Sequence, residues 1–289
     1  MTDDPSADRP LPGLEIRGTG GLLLDEPFLL RPRGAEPDET LVWRGRLRDD
    51  DGRVWRANAA RAEDLGTMWA PSKGPAGPIP ALTSLRPVAV DVRLELPDRR
   101  TATREITRVL LADGVRVRRW REGVVGTLLR PADEAPTATV VVDARSADRP
   151  DVETVAALAG ALLASRGVLV LTVVAAKGTP AGEEALVVAA AQLARVPGAG
   201  EVRTLGVRTP GEVDGAGDDG PAGGSQAPER QLMYPVGTSA DTRAAGAPAV
   251  VLPAGIPGGD PDPAAHATRA AAWDALLAEL GARPRATRD

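Results

Sequence analysis

The sequence predicts an all-β amino-terminal half followed by an α/β carboxyl-terminal half. Three observations predict it. Up to about residue 121, short runs with apolar residues at alternate positions are separated by turn residues. After residue 126, apolar runs alternate with Ala- and Leu-rich stretches of helical length. The most apolar run, VLVLTVV at 168–174, has no polar face, as a strand buried on both sides requires.

Residues 1–12 are acidic and Pro-rich and read as a disordered tail. Strands are expected at 27–31 and 41–48. Asp49-Asp50-Asp51-Gly52 supplies the positive-φ chemistry of a hairpin, and 53–60 returns. Trp43 and Trp55 flank this turn, so cross-strand proximity is expected. Residues 70–81, APSKGPAGPIPA, carry too many breakers for regular structure. In 88–96, Val90, Val92, Leu94 and Leu96 alternate with Asp91, Arg93 and Glu95, which predicts a half-buried strand. A turn at 97–100 leads to a strand at 104–111. Asp113-Gly114 then turns into a strand at 115–120, with Val115 and Val117 inward and Arg116 and Arg118 facing water. This spacing suggests a β-sandwich over 13–122.

The second domain spans 123–289. Strands are expected at 139–142, 168–174, 202–207 and 249–252. Helices are expected at 152–165, ended by Gly167, and at 182–195. Residues 210–230 are low in complexity and read as a mobile loop. The last helix, 263–280, sets Trp273, Leu276, Leu277 and Leu280 on one face.

Composition narrows the chemistry. Of 289 residues, 43% are hydrophobic but only 2% aromatic, so Ala, Val and Leu must fill the core. Thirty-two glycines and 27 prolines imply long irregular stretches. A net charge of −5 disfavours non-specific nucleic-acid binding. The absence of cysteine excludes disulfides and thiolate chemistry and is compatible with a cytoplasmic protein. With His266 as the single histidine, a metal site would need carboxylates for its other ligands, so neither metal nor cofactor is expected. The amino terminus lacks the pattern of a signal peptide, and 168–176 is too short to cross a bilayer, so no membrane role is expected. No pattern sets an oligomeric state.

Three segments carry a family resemblance. They are WRGRLRDDDGRVW at 43–55 with RANAARAEDLG after it, VRVRRWREGVVGTLLRP at 115–131, and GGDPDPAAHATRAAAWDALLAELG at 258–281. Together and in this order they resemble acyl-CoA thioester hydrolases and bile-acid-CoA:amino-acid N-acyltransferases. The resemblance implies an immunoglobulin-like β-sandwich followed by an α/β-hydrolase-like domain, here truncated. It also implies a link to fatty-acid metabolism, with acyl-CoA or acyl groups as partner.

Thioester cleavage needs a nucleophile, a base and donors for the oxyanion. In the resembled family the nucleophile sits on a glycine-flanked turn after a strand. Strand 202–207 leads into the matching stretch here. Counting from Gly206, the nucleophile position holds Arg208 and the second glycine position holds Pro210. A guanidinium stays protonated, and proline removes a backbone donor. Thr209 is the neighbouring hydroxyl, but it is β-branched and precedes a proline. Ser225, in Gly223-Gly224-Ser225-Gln226-Ala227, follows a Gly/Asp-rich loop rather than a strand. Ser146 falls near the family's Gly-Gly-Ser stretch, but Asp143, Ala144 and Arg145 replace the glycines. Ile256 stands where the family carries its histidine. His266 lies beyond it, beside the apolar stripe of the last helix, where a structural role fits better. Asp214, Asp218, Asp219 and Asp241, the remaining acid candidates, fall in expected loops.

The leading expectation is therefore a catalytically impaired family member. The alternatives are an active hydrolase using Thr209 or Ser225 with His266 as base, and a non-enzymatic binding or interaction protein. Arg116, Arg118, Arg119 and Arg121 could engage CoA phosphates. The alternation favours an outer strand face instead.

Overall fold

The computed structural model describes residues 13–16, 22–26, 30–33, 35, 39–60, 65, 70–71, 80–132, 135–144, 150–174, 183–207, 249–250 and 263–284. The chain forms two compact units that divide between Val109 and Leu110, and the end of the last helix belongs to the second.

The first unit is all β. Its strands are β1 (Gly13–Ile16), β2 (Leu22–Leu23), β3 (Leu30–Arg33), β4 (Val42–Arg48), β5 (Val54–Ala59), β6 (Ala70–Pro71), β7 (Val88–Glu95) and β8 (Thr101–Val109). Six of them form one sheet in the order β2-β8-β7-β4-β5-β6, while β1 and β3 form a separate antiparallel pair. All pairs in the larger sheet are antiparallel except the short β2–β8 contact. The expected alternation is present: Val88, Val90, Val92 and Leu94 are buried on β7, and Trp43 and Leu47 on β4. In the breaker-rich 70–81 stretch, the two residues of β6 pair with β5.

The hairpin at 49–52 forms as expected, with Gly52 at φ 79°. Its tryptophans are arranged differently from the expectation. Trp43 lies opposite Ala59 and Trp55 opposite Leu47. Both rings are buried on the same face, but four register positions separate them, about 13 Å along a strand.

Two buried ions tie the first unit together. One oxygen of the Asp49 carboxylate accepts the Arg53 amide at 2.8 Å. The other accepts the Trp55 indole N–H at 2.9 Å and the Ala81 amide at 3.4 Å. Asp50 accepts the amide and the hydroxyl of Ser84, each at 2.7 Å. The turn is thus also the anchor for residues 80–84. Arg108 is fully buried, and its Nη2 donates to the carbonyls of Leu23 at 2.7 Å, Leu24 at 3.0 Å and Glu26. Burial pulls its guanidinium down to about 10, against the pull of Asp25 and Glu26. It still carries its charge at neutral pH.

The second unit is α/β. Strands β9 (Arg116–Trp120), β10 (Val125–Arg130), β11 (Ala138–Ala144), β12 (Val168–Val174), β13 (Val202–Val207) and β14 (Ala249–Val250) form a sheet in the order β14-β13-β11-β12-β10-β9. The pairs β11–β12, β11–β13 and β13–β14 are parallel. The β9–β10 hairpin adds as an antiparallel edge. Helices α1 (Pro150–Ser165) and α2 (Glu183–Leu193), with α3 (Pro263–Glu279) from Thr268 onward, complete the unit. Residues 115–120, expected in the sandwich, thus belong to the second sheet. β10 was not expected as a strand at all.

Side-chain alternation shows that α1 and α2 cover opposite faces of this sheet. A Cβ at Gly160 of α1 would meet Leu129, Val170 and Thr172. The α2 residues Ala185, Ala189 and Leu193 pack instead with Leu128, Leu169, Leu171 and Val173. Residues 168–173 are buried as the unbroken apolar run predicts. Trp273, Leu276, Leu277 and Leu280 of α3 are all buried, as their spacing predicts. The carboxyl end of α1 is pinned by side chains. Ser165 Oγ donates to the Ala161 carbonyl and accepts the Ala112 amide, each at 2.8 Å, while Arg166 Nη1 donates to the Pro284 carbonyl at 2.7 Å.

A methyl group at Gly126 would lie 1.9 Å from the Thr172 carbonyl oxygen, a backbone atom, whereas one at Gly200 would meet nothing within 4 Å. Gly126→Ala is therefore expected to lower stability by about 3 kcal/mol, the upper end for overpacking. Gly200→Ala should stay within about 0.5 kcal/mol of the parent. Urea midpoints at a common slope measure both. In the first unit, Asp49→Ala strands the Trp55 indole donor and should cost about 2–3 kcal/mol, read by tryptophan fluorescence during unfolding.

Candidate functional site

Two places in the second unit have the geometry of a site. The first follows from topology. The chain runs from β11 to its neighbour β12, then returns past β11 to β13 on the other side. Connections diverge between β11 and β13, and ligands of open α/β sheets bind at the carboxyl ends of strands where this happens. The last register pair of these two strands is Asp143 with Gly206. Gly206 is the first glycine of the stretch matched above to a nucleophile turn. Asp143 is half-buried beside it, at the carboxyl ends of the two strands. β13 ends at Val207, one residue before Arg208.

Of the proposed catalytic residues, Thr209 and Ser225 lie outside the described residues. So do Ser146, Arg208, Pro210 and Ile256, and the acid candidates Asp214, Asp218, Asp219 and Asp241. His266 falls in the first turn of α3, but the described side chains of that helix begin at Ala271. Among the described residues, no three His, Asp or Glu side chains gather as a metal ion would need. No helix among them is long and apolar enough to cross a membrane.

The second place is a groove of about 530 Å³ on the α2 side of the sheet edge. It is lined by Arg116, Arg118, Trp120 and Glu122 from β9 and its turn, Leu128 and Arg130 from β10, and Gln192, Arg195, Val196 and Pro197 from α2 and the residues after it. Strand geometry explains the cluster. Arg116, Arg118 and Trp120 are alternate residues of one strand and share a face. Arg130 lies directly opposite Arg116, and Leu128 opposite Arg118. Trp120 anchors the floor. It is 6% exposed, and its indole N–H donates to Gln192 Oε1 at 2.9 Å and to the Glu122 carbonyl at 3.2 Å. The Arg118 guanidinium carbon lies 5.8 Å from the centroid of the Trp120 ring, a cation–π distance. Arg118 also approaches Glu122 at 3.7 Å, an exposed pair of little strength.

This arrangement reverses the expected orientation of the strand. Val117, expected inward, is 47% exposed, and the residue β9 buries is Trp120. Arg116 and Arg118 face a groove rather than an open outer surface. Arg130, Gln192 and Arg195 were missed by sequence reasoning. A signal for the hairpin was nonetheless present: four residues containing a glycine separate Trp120 from Val125, and Gly123 adopts φ 69°.

The chain is a β-rich protein of two units, the second an α/β sheet with a topological switch point between β11 and β13 and a cationic groove along its antiparallel edge. Compared with known proteins, it matches no family model and no curated protein.

Trp120→Phe shrinks a buried indole to a phenyl ring and deletes the donor to Gln192, and should cost about 1–3 kcal/mol, measurable as a shift in the thermal midpoint.

Proposed function

We propose that this chain is a divergent relative of the acyl-CoA thioester hydrolases and acyltransferases that binds an acyl thioester at the carboxyl edge of its second sheet and does not hydrolyse it. On this reading the second unit is a reduced α/β-hydrolase domain, and the first is an immunoglobulin-like sandwich with one layer cut to the β1–β3 pair. The observation that carries the reading is the position of β13. It is a parallel strand beside β11 at the point where connections diverge, and it leads straight into the stretch matched to the family's nucleophile turn. The antiparallel hairpin before β11 also agrees, because the family-like passage at 115–131 then forms the entry to the hydrolase sheet.

The chemistry argues for binding without turnover. Arg208 cannot supply the electron pair that attacks a thioester carbonyl, and Pro210 offers no N–H to an oxyanion. The Asp143 carboxylate at the head of the crevice opposes negative charge developing on a carbonyl oxygen nearby. These residues disfavour the tetrahedral intermediate, whereas binding of an uncharged acyl group meets no such opposition.

Two measurements test this together. With a palmitoyl-CoA substrate and a thiol-detecting reagent, CoA release is expected to stay at the uncatalysed rate. Release that disappears in His266→Ala, Thr209→Ala or Ser225→Ala would establish an active hydrolase instead. Calorimetry with a palmitoyl-pantetheine thioether, which cannot be cleaved and carries no phosphate, is expected to show saturable binding. Its absence removes the acyl-binding reading.

A further inference from the structure

We infer that the groove along β9 and β10 binds a small anion carrying two or more phosphate groups. Its cationic wall consists of Arg116, Arg118, Arg130 and Arg195. The key observation is the pairing of Arg116 with Arg130. They are direct cross-strand neighbours on one face, and like charges so placed repel each other. Among the described residues, no carboxylate pairs with Arg116, Arg130 or Arg195. The one carboxylate on the groove wall, Glu122, is engaged with Arg118 at 3.7 Å. The chain as a whole is acidic, at −5, so this local excess of cations is not an overall bias.

The first sheet also sets arginines opposite each other, at Arg44–Arg93 and Arg46–Arg56, but there Glu95 pairs with Arg44 and Arg93 and Asp91 stands opposite Arg46. Among the described residues, Arg116 and Arg130 have no such carboxylate between them, and a multiply charged anion would supply the missing negative charge. Guanidinium groups present donors in a planar fork matched to phosphate oxygens, and several converging forks favour a ligand with several phosphates over one. The volume of about 530 Å³ exceeds that of a bare pyrophosphate and leaves room for a nucleoside-sized remainder. The Trp120–Gln192 hydrogen bond holds the floor rigid beneath this wall.

The groove is separate from the acyl crevice. Register places Arg116 and Arg130 toward the amino ends of the parallel strands, whereas the crevice opens at their carboxyl ends. Four strand spacings also lie between β9 and β13, about 19 Å. The inference therefore stands without the thioesterase reading, and the phosphate-free probe used above does not report on it.

Calorimetry on the full chain at low salt, with inorganic pyrophosphate, orthophosphate and a nucleoside diphosphate, tests the proposal. Pyrophosphate is expected to bind at least about tenfold more tightly than orthophosphate and to weaken as salt rises. The nucleoside diphosphate arm separates a site that reads phosphates alone, with equal affinity, from one whose free volume takes the nucleoside, with higher affinity. The double variant R116Q/R130Q should lose about tenfold or more in affinity. R119Q, on the opposite face of β9, should not. Thermal unfolding supplies a second readout: without ligand, R116Q/R130Q should melt no lower than the parent because a repulsion is removed, and pyrophosphate should raise the midpoint of the parent only. The proposal is overturned by no binding of either diphosphate at 10 mM, about the weakest affinity such a site should have. Equal binding by the double variant, or a lower melting point for it, would also overturn it.

Discussion

The second unit depends on the parallel pairing of β11 with β12, with a helix layer on each face. Val140, Val141, Val142, Leu169, Val170 and Leu171 lose nearly all contact with water there. A chain with so few aromatic residues has no large side chains to spread over a loose interface. It gains burial by bringing backbones close, and the small residues of α1 make this possible. Gly160 sits where any Cβ would press on Thr172, Leu129 and Val170, and Ala156, Ala159 and Ala161 are buried in the same helix. Gly126 does the same within the sheet, where β10 meets the Thr172 carbonyl. The pairing and the glycines are two aspects of one constraint: dense packing of short side chains tolerates no added atom.

The first unit solves a different problem. Its sheet is amphipathic, and its hydrophobic face is supplemented by buried polar hubs. Asp49 gathers an indole and two amides around one turn, and Arg108 gathers three carbonyls around another. Asp49 is engaged through both its oxygens, whereas Arg108 donates through Nη2 while its Nε and Nη1 are buried without a hydrogen-bond partner among the described residues. Such hubs fix which loop meets which strand end, a specificity that Val and Leu contacts alone do not supply.

The topological switch point and the cationic groove lie toward opposite sides of the same parallel core. The switch point arises because connections diverge between β11 and β13, a consequence of chain order. The groove arises because an antiparallel hairpin extends past the helix layer and leaves one strand face partly uncovered beside α2. In the groove, Arg116 and Arg130 stand where strand pairing would favour opposite charges.

Local periodicity determined much of the fold. The apolar run at 168–174 and the strand at 202–207 have the bounds read from sequence, and the Trp273 stripe is buried as its spacing requires. A hairpin at Asp49–Gly52 followed from turn chemistry alone. Arg116 and Arg118 were also visible as a cluster. Tertiary structure decided the rest. It assigned β9 to the second sheet, turned Val117 outward, set Arg130 opposite Arg116, and brought Gln192 and Arg195 across from α2. It also gave Arg108, which alternation places on the apolar face with Ile106 and Leu110, the carbonyls of residues 23–26 as partners. The physical reason is the range of the interactions. Alternation and turn residues act between near neighbours in the chain, whereas a strand's partner, and the face its neighbours cover, are set by contacts between residues tens of positions apart.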